Sequence, residues 1–411
     1  GLYHPEGAVR AGVVRALGGL RDEASRPVFE TLLEDPYWLV RANAAEAIDR
    51  LGAGPSRLEL LRALGEKDHR AWLLITDAFA TTPEPSEEAT KQLLARVEDK
   101  RWQVRLVAYR ALARVGTETA IAPLIDRYGM EHGRLFKDVR ATLKALTHDD
   151  LGENPETWRR WWKDQTETYG GLGPRPEKDA AETSEGRYAN QGDGKTVDRP
   201  SKNEYYGKEF FSRSIGFVLD ISDSMKVNME IIPEQATRLG NIPLKGRRMD
   251  IARQALLDSL ARIDNRTRFR LVFFDSNVNV WNERMVSANP SNRAAARSAI
   301  ERLRPKGETN FHAAIRAALG LHGKTLDQAK LEDAPDTVFF LTDGRPTRGE
   351  ITAMPELVSW LHRVNRFARV DLHVIVLGDL NVDAPQLALL AEAGGGTFIH
   401  VREKGYGGLG Y

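Results

Sequence analysis

The chain has 411 residues with 59 basic and 58 acidic side chains, so its formal net charge of +1 does not favour a nucleic acid or an anionic membrane as a partner. Hydrophobic residues make up 41% and charged residues 28%, a composition typical of a globular protein, and the length predicts more than one domain. The absence of cysteine excludes disulfides, thiolate nucleophiles and cysteine-based metal sites.

Two further features concern the compartment. No apolar run reaches the roughly 18 residues that a membrane-spanning helix needs, so we expect no transmembrane segment. The chain begins with Gly1 rather than methionine and has no cysteine, which leans towards an extracytoplasmic bacterial protein and otherwise leaves the compartment open.

A pattern recurs in the first third of the chain: an aspartate, four residues, a Val-Arg pair, apolar positions at helical spacing, and Leu-Gly. It is complete over 35–52 and 99–116, weaker from Asp68, and incomplete around positions 9 and 139. The anchor positions 9, 40, 73, 104 and 139 are separated by 31, 33, 31 and 35 residues, which leaves room for two short helices per unit. The pattern therefore predicts an all-α solenoid over 1–168.

This pattern resembles the HEAT-repeat family, in which antiparallel helix pairs stack into a curved solenoid. We interpret the recurrent aspartate and arginine as hydrogen-bonding residues between repeats, with ligand binding by the arginines as the alternative. Residues 1–150 hold 22 basic and 23 acidic side chains, so the array lacks the basic footprint of a nucleic-acid-binding surface. Trp158, Trp161 and Trp162 have helical spacing and are predicted to cap the last repeat.

Residues 169–207 are rich in Gly, Pro, Ser, Asn and charged side chains without a sustained period, which predicts a linker. From about 208 to 404 the period changes, and a Gly-rich tail follows over 405–411. Nearly continuous apolar runs predict buried strands, and helical patterns alternate with them, as in a doubly wound α/β sheet. The predicted strands are 215–219, 269–274, 338–341, 372–377 and 397–401, with an antiparallel edge strand at 278–281, and the predicted helices are 249–263, 294–303, 311–319, 356–367 and 386–393.

Oxygen-bearing side chains stand at three separated points of this second domain, where strands end or helices begin. Because ligands of doubly wound sheets bind beyond the carboxyl ends of the strands, we expect these side chains to converge. Two carboxylates and three hydroxyls suit Mg²⁺ or Mn²⁺ far better than zinc, and they leave at least one coordination position free. The candidate metal ligands are Asp220, Ser222, Ser224, Thr309 and Asp343.

The segments 217–225, 307–310 and 340–344 together resemble the von Willebrand factor type A domain and its metal-ion-dependent adhesion site. The resemblance covers roughly 208–404 and implies a Rossmann-like fold. It also implies that Ser222, Ser224 and Thr309 bind the ion through their hydroxyls, and that Asp220 and Asp343 bind it directly or through water. An Asp or Glu carboxylate of a partner protein would then fill the open position.

Several residues near this motif depart from the family pattern or add to it. Asp223 and Glu308 stand where the family commonly has glycine, so they could tighten metal binding, repel an acidic ligand or point away. Asp275 and His312 flank the site and are interpreted as local caps rather than ligands. The long, apolar insertion 226–248 is expected to pack over the metal or to present a partner surface.

These features favour a non-enzymatic, metal-dependent protein-binding module on a HEAT-repeat scaffold, similar to bacterial proteins that pair the two. One alternative is a regulatory or adaptor subunit of an ATPase, since MoxR-associated and metal-chelatase proteins contain this domain. Another is RNA binding, as in the Ro family, which the near-neutral repeat array disfavours. We find no Ser-His-Asp order, no His-Glu-x-x-His motif and no phosphate loop, so no enzymatic activity is predicted.

Overall fold

The computed structural model of the chain describes residues 1–174, 203–240, 242–330, 333–378 and 384–404. The chain divides into two compact units, one ending at Arg199 and the other beginning at Pro200. Over its described residues, 1–174, the first unit is all-helical, and the second is built on a mixed, mostly parallel sheet. Within the described ranges, no helix is both long and apolar enough to cross a membrane. The predicted tail, 405–411, lies outside the described residues.

The helices of the first unit form two layers. The longer helices α1, α3, α5, α7 and α9 pack on one another in succession, and α2, α4, α6 and α8 each pack on the long helix that follows. This arrangement agrees with the predicted stacking of helix pairs. The helices are α1 (Gly7–Leu20), α2 (Arg26–Leu32), α3 (Trp38–Leu51), α4 (Arg57–Ala63), α5 (His69–Ala80), α6 (Glu87–Leu94), α7 (Trp102–Val115), α8 (Ile121–Met130), α9 (Arg134–Thr147) and α10 (Pro155–Tyr169).

The recurrent arginines join one repeat to the next, as the sequence pattern predicts. Arg10 donates two hydrogen bonds, of 2.9 and 2.8 Å, to the carboxylate of Asp35. Arg41 binds Glu66 in the same way, 25 residues further along the chain. The aspartates also have a local role, because Asp35 Oδ1 accepts from the backbone N–H of Tyr37 at 2.8 Å and Asp68 caps α5. The arginines are therefore engaged inside the scaffold.

Polar side chains inside the helical layers add a second set of links between repeats. Asn43 Nδ2 donates to the carbonyl of Ala11 (2.8 Å), 32 residues earlier, and Thr142 Oγ1 donates to the carbonyl of Tyr109 (3.0 Å), 33 residues earlier. Both side chains are buried. Since a buried polar group needs a partner, each of these bonds fixes how far one long helix is shifted along its neighbour.

The last helix closes the array with aromatic side chains, as predicted. Trp158 is fully buried, its indole N–H donates to the carbonyl of Gly152 (3.1 Å), and its ring meets Tyr128 of α8 edge to face. Trp161 is also buried and packs edge to face on Trp158. The two tryptophans thereby cover the apolar end of the last repeat, which would otherwise face solvent.

The second unit begins earlier than the composition predicts. The segment 203–207, assigned to the linker from its sequence, contains strand β1 and the buried side chains of Tyr205 and Tyr206. Tyr205 packs edge to face on Phe217 and Phe339 of the sheet, which ties the strand to the core. The polar residues around these two tyrosines interrupt the apolar pattern, so the sequence does not predict this strand. Residues 175–202 of the predicted linker lie outside the described residues.

The sheet of the second unit has the order β11-β10-β9-β3-β6-β7, with β8 pairing the other end of β6. Strands β3, β6, β9, β10 and β11 are parallel, and the edge strand β7 is antiparallel, as predicted. The strands are β1 (Asn203–Tyr205), β2 (Lys208–Phe210), β3 (Ser214–Asp220), β4 (Asn228–Glu230), β5 (Lys245–Arg247), β6 (Arg268–Phe274), β7 (Val278–Val280), β8 (Val286–Ser287), β9 (Thr337–Thr342), β10 (Asp371–Leu377) and β11 (Gly395–Val401).

Apolar side chains cover both faces of this sheet. On one face, residues of α12 and α13 pack with Phe217, Leu219 and Leu341. On the other, Phe311 of α14 meets Phe274 and Phe340 edge to face. This confirms the doubly wound fold. The helices are α11 (Pro233–Arg238), α12 (Arg248–Arg262), α13 (Pro290–Glu301), α14 (Phe311–Ala318), α15 (Met354–Ala368) and α16 (Ala384–Ala393).

The insertion 226–248 folds as a hairpin of β4 and β5 around the short helix α11. Met229, Ile231 and Ile242 are buried in the core of the unit, whereas Ile232 and Leu244 are exposed. The insertion is also joined to the end of the sheet, because Ile231 pairs with Glu403 and Lys404 forms an ion pair with Glu230. Most of its apolar side chains therefore serve the core.

Strand order decides where a ligand can bind. From β3 the chain proceeds to β6 on one side and then returns to β9, β10 and β11 on the other. The order thus reverses between β3 and β9, and their carboxyl ends border a crevice. Asp220 is the last residue of β3, and Asp343 directly follows β9.

Candidate metal centre

Asp220 is held at the floor of the crevice by two hydrogen bonds. Its side chain is fully buried. Oδ1 accepts from the backbone N–H of Ser222 (2.8 Å), and Oδ2 accepts from the hydroxyl of Thr342 (2.6 Å). Thr342 is the last residue of β9, so the neighbouring strand orients this carboxylate.

Asp343 and the two serines form a hydrogen-bonded chain beside it. Ser224 Oγ donates to Asp343 Oδ1 (2.7 Å), and the hydroxyls of Ser222 and Ser224 lie 3.1 Å apart. Asp343 and Ser222 are buried, whereas Ser224 is exposed. The cluster therefore has a closed floor and one side open to solvent.

The buried carboxylate of Asp220 is disfavoured in its ionised form. Burial, followed by the charge of Asp343, raises the pKa of Asp220 to about 7. Positive charge between two buried carboxylates removes this penalty, and hydroxyl oxygens complete a set of hard donors. Within the described ranges no group of three or more His, Asp or Glu side chains forms a metal site, so any cation here depends on the hydroxyls. The residues present fit Mg²⁺ or Mn²⁺.

Thr309 lies on a turn that adjoins the loop of Ser222 and Ser224, and its backbone is held by Thr347. Its N–H donates to Thr347 Oγ1 (3.0 Å), and its carbonyl accepts from the N–H of Thr347 (2.9 Å). The turn before Thr309 contacts the loop that carries Ser222 and Ser224, since the N–H of Asp223 donates to the carbonyl of Gly307 (3.0 Å). Gly307 has φ +74°, a conformation that favours glycine, and a Cβ there would lie 2.8 Å from Ser276 Oγ, so a larger residue would strain the turn and displace Ser276.

The structure thus brings four of the five predicted ligands into one hydrogen-bonded cluster, with Thr309 buried on the adjoining turn. Asn310 caps α14 directly after it by accepting from the N–H of Ala313 (3.1 Å). Each segment therefore stands where the sequence places it, at the end of a strand or the start of a helix.

The acidic residues that depart from the family pattern are both neutralised locally. Asp223 forms an ion pair with Lys226 (2.5 Å), and Glu308 forms one with Arg348 (2.8 Å). All four side chains are more than half exposed. Because their charge is matched and faces water, neither acid adds a full negative charge to the cluster.

The flanking residues Asp275 and His312 have local roles. Asp275 Oδ1 accepts from the N–H of Asn277 (2.7 Å), which closes a turn after β6. His312 is buried against Trp360, with ring centroids 4.6 Å apart, and burial lowers its pKa. The contacts of Asp275 agree with the sequence interpretation as a local cap, whereas His312 serves packing.

Sequence reasoning missed two residues at the site. Thr342 orients Asp220, and its only signal is its position next to Asp343. Arg248 begins α12, and its Nη1 donates to Asp343 Oδ2 (3.0 Å) across 95 residues of sequence. No local motif marks this arginine, because its partner is brought to it only by the complete fold.

Comparisons with known proteins agree with both units. The sequence profile of the von Willebrand factor type A domain matches residues 243–399, and that of HEAT repeats matches residues 1–80. The matches therefore agree with a HEAT-type helical region followed by an α/β domain like the von Willebrand factor type A domain.

Similar proteins align with part of the chain. Inter-alpha-trypsin inhibitor heavy chain H3 of Homo sapiens is 26% identical over 139 residues, which cover 34% of this chain and 14% of the relative. Heavy chain H4 of Homo sapiens is 31% identical over 108 residues, 26% of this chain and 12% of the relative. The solved structure of a von Willebrand factor type A protein from Catenulispora acidiphila shares 18% identity, with a TM-score of 0.35 over 47% of this chain and 40% of that chain. The aligned part of the chain thus spans about a seventh of the length of the curated relatives.

Proposed function

We propose that the second unit is a metal-dependent protein-binding module without enzymatic activity. Asp220, Ser222, Ser224, Thr309 and Asp343 would hold one Mg²⁺ or Mn²⁺ ion, which supplies an electrophilic position for an incoming anion. The partner would contribute an Asp or Glu carboxylate. The HEAT repeats would act as the scaffold that carries this module.

One observation carries the proposal. Two buried carboxylates and two serine hydroxyls are joined by hydrogen bonds at the strand-order reversal, and one side of the cluster is open. Neutral hydroxyls cancel no charge, and one of the two carboxylates, Asp343, is already paired with Arg248 (3.0 Å), so a divalent ion here keeps net positive charge that attracts an anion. A carboxylate fits this position because it brings one negative charge and a hard oxygen.

The exposed acidic residues around the cluster, Asp223 and Glu308, are already paired with basic side chains. Lys226 matches Asp223 and Arg348 matches Glu308, so the local repulsion of an acidic side chain is reduced. The solvent exposure of Ser224 gives access to the cluster from outside. Repeat arginines such as Arg10 and Arg41 are bound to acids within the scaffold, which does not support nucleic-acid binding by the first unit.

The first experiment tests the ion. Calorimetric titration of the full chain with MgCl₂ and MnCl₂ should show one site in the wild type and none in Asp220→Asn. Asp275→Asn is the matched control, because it makes the same change at the end of the adjacent strand β6 while keeping an acceptor for Asn277. Equal binding by wild type and Asp220→Asn would refute the assignment.

The second experiment tests the partner. Proteins captured from the native source by the immobilised wild type should be lost on chelation and absent with Asp220→Asn, and they should be retained by Asp275→Asn. Replacing acidic residues of the captured protein one at a time should identify a single carboxylate that is needed. Capture that ignores both the chelator and Asp220→Asn would contradict metal-dependent binding.

A further inference from the structure

Arg248 places a fixed positive charge within the candidate metal centre. Its Nη1 donates to Asp343 Oδ2 (3.0 Å), while Ser224 donates to the other oxygen, Oδ1 (2.7 Å). The side chain of Asp343 is 0% exposed and that of Arg248 is 13% exposed. Each oxygen of this carboxylate thus has one donor, and one of the two donors is a cation.

Three features locate the side chain of Arg248. The backbone N–H of Arg248 donates to the carbonyl of Val227 (2.9 Å), which anchors the start of α12 to the insertion. Gly378, at the end of β10, makes room for the side chain, because a Cβ there would lie 2.5 Å from Nη2. Asp343 holds the third side. The guanidinium is therefore held beside the carboxylate of Asp343, with its side chain 13% exposed.

We propose that Arg248 is a positioning residue that sets the balance between cation and anion binding at the site. By occupying Oδ2 it leaves Oδ1 of Asp343, together with Ser224, facing the ion. Its charge opposes a second cation at the same carboxylate and attracts an incoming carboxylate. The inference rests on the proposed function and specifies how this chain favours an acidic partner over tight retention of the ion.

The sign of the effect follows from Coulomb's law in a partly buried site. Removing the guanidinium removes a repulsion for the ion and an attraction for the anion, so the two affinities should move in opposite directions. Loss of a residue that only supports the fold would weaken both affinities together. The opposing shifts are therefore the signature of the proposed role.

The test uses Mn²⁺ and acetate as probes on the full chain. Water-proton relaxation of the Mn²⁺ complex measures ion affinity, and acetate titrated into the complex displaces bound water and reports anion affinity. We expect Arg248→Gln to tighten Mn²⁺ binding and weaken acetate binding, each on the order of tenfold. Arg248→Lys, which keeps the charge, should stay close to the wild type in both.

Arg247→Gln is the matched control. It makes the same change one residue earlier, where the side chain is exposed and bound to Asp250 (2.7 Å), and it should alter neither affinity. Weaker Mn²⁺ binding in Arg248→Gln, or unchanged acetate binding, would overturn the inference while leaving the metal site intact. If Arg248→Gln does not fold, a loss of acetate affinity in Arg248→Lys overturns it instead, and wild-type acetate affinity in that variant supports it. Absence of Mn²⁺ binding by the wild type would remove the proposed function itself.

Discussion

Thr342 fixes the buried oxygen of Asp220 although it is not itself a candidate ligand. Its hydroxyl supplies the donor to Oδ2, and burial leaves that oxygen no access to bulk water. A buried acceptor that loses its partner costs about 1–3 kcal/mol. The orientation of Asp220 thus depends on a side chain from the next strand.

We expect Thr342→Val, which keeps the shape and removes the hydroxyl, to lower the unfolding free energy by about 1–3 kcal/mol and to weaken Mg²⁺ binding. Thermal melts and calorimetry measure the two effects. Thr337→Val is the control, because Thr337 lies at the opposite end of β9 and bonds to Asp336 (2.9 Å), so that it should affect stability alone. Unchanged Mg²⁺ affinity in Thr342→Val would contradict the role given to this hydroxyl.

Glu131 gives the repeat unit a dependence on acid. It accepts from Arg105 Nε (2.7 Å), Arg127 Nη2 (2.6 Å) and the hydroxyl of Tyr109 (2.8 Å). Burial alone would raise the pKa of Glu131, but the two arginines outweigh it and the pKa is lowered. A carboxyl with a lowered pKa stabilises the folded state above the ordinary pKa of 4.5 and loses this effect as the pH falls through its lowered pKa.

Glu131→Gln should therefore cost about 3 kcal/mol at pH 7. It should also reduce the loss of stability that the wild type shows as the pH falls below the ordinary carboxyl pKa of 4.5. Urea unfolding followed by tryptophan fluorescence suits this unit, which holds six of the eight tryptophans. The exposed Glu98→Gln provides the control and should behave as the wild type. A Glu131→Gln protein with unaltered pH dependence would exclude this carboxyl as the source.

At this scale the sequence predicts candidate metal ligands but not the residues that support them. Asp220, Ser222 and Ser224 belong to one short motif, so local order is enough to find them. Arg248 and Thr342 act on partners 95 and 122 residues away, and only the tertiary structure shows such pairs. The ion pairs of Asp223 with Lys226 and of Glu308 with Arg348 likewise depend on side-chain orientations that the sequence does not show.

Among the elements, α14 is anchored at its far end by a buried arginine of β6. Arg270 donates to the carbonyls of Ala317 (3.3 Å) and Ala318 (3.2 Å) and, through Nη2, to that of Glu283 (3.0 Å). Burial lowers its pKa. A cation at the carboxyl end of a helix satisfies carbonyls that have no partner within the helix.

Arg270→Met keeps the length of the side chain and removes its donors, so we expect a loss of about 1–3 kcal/mol from unsatisfied carbonyls. Mg²⁺ affinity should not change, because the replaced residue supports the end of α14 remote from Thr309. Arg268→Met, at the exposed start of the same strand, should be neutral. Chemical unfolding measures all three proteins, and an equally stable Arg270→Met would show that the carbonyls find other donors.

Element prediction succeeded where the apolar pattern was continuous. The strands β3, β6, β9 and β10 lie where four buried apolar runs predict them, with ends shifted by at most one residue. The pairs β1–β2 and β4–β5 were missed because their strands are three residues long and alternate with polar or glycine positions. Strands this short gain their stability from the core beneath them, which composition does not reveal.

For the whole molecule, the division into two units predicts independent stability. Each unit has its own core, and the candidate ligands all belong to the second. A ligand that binds only the native form of one unit raises the stability of that unit by mass action. The linker between them stays a prediction from composition. Its residues 175–202 lie outside the described residues.

Differential scanning calorimetry of the full chain should therefore show two transitions, of which Mg²⁺ raises one. Asp220→Asn should abolish the shift and leave the other transition in place. The separately expressed segments 1–174 and 203–404 should reproduce the two transitions one by one. A single transition that moves as a whole with Mg²⁺ would show that the units are coupled.

The distance in sequence between the partners of the metal cluster has a kinetic consequence. Ser224 and Asp343 are 119 residues apart, and they meet only when β3 and β9 are paired. A contact of such long range is costly to form before the sheet exists, so the cluster should be among the last features to assemble. Mg²⁺ should then slow unfolding while leaving the refolding rate unchanged, as stopped-flow measurements would show. The ion would act as a latch on the finished domain, lengthening its lifetime without guiding its formation.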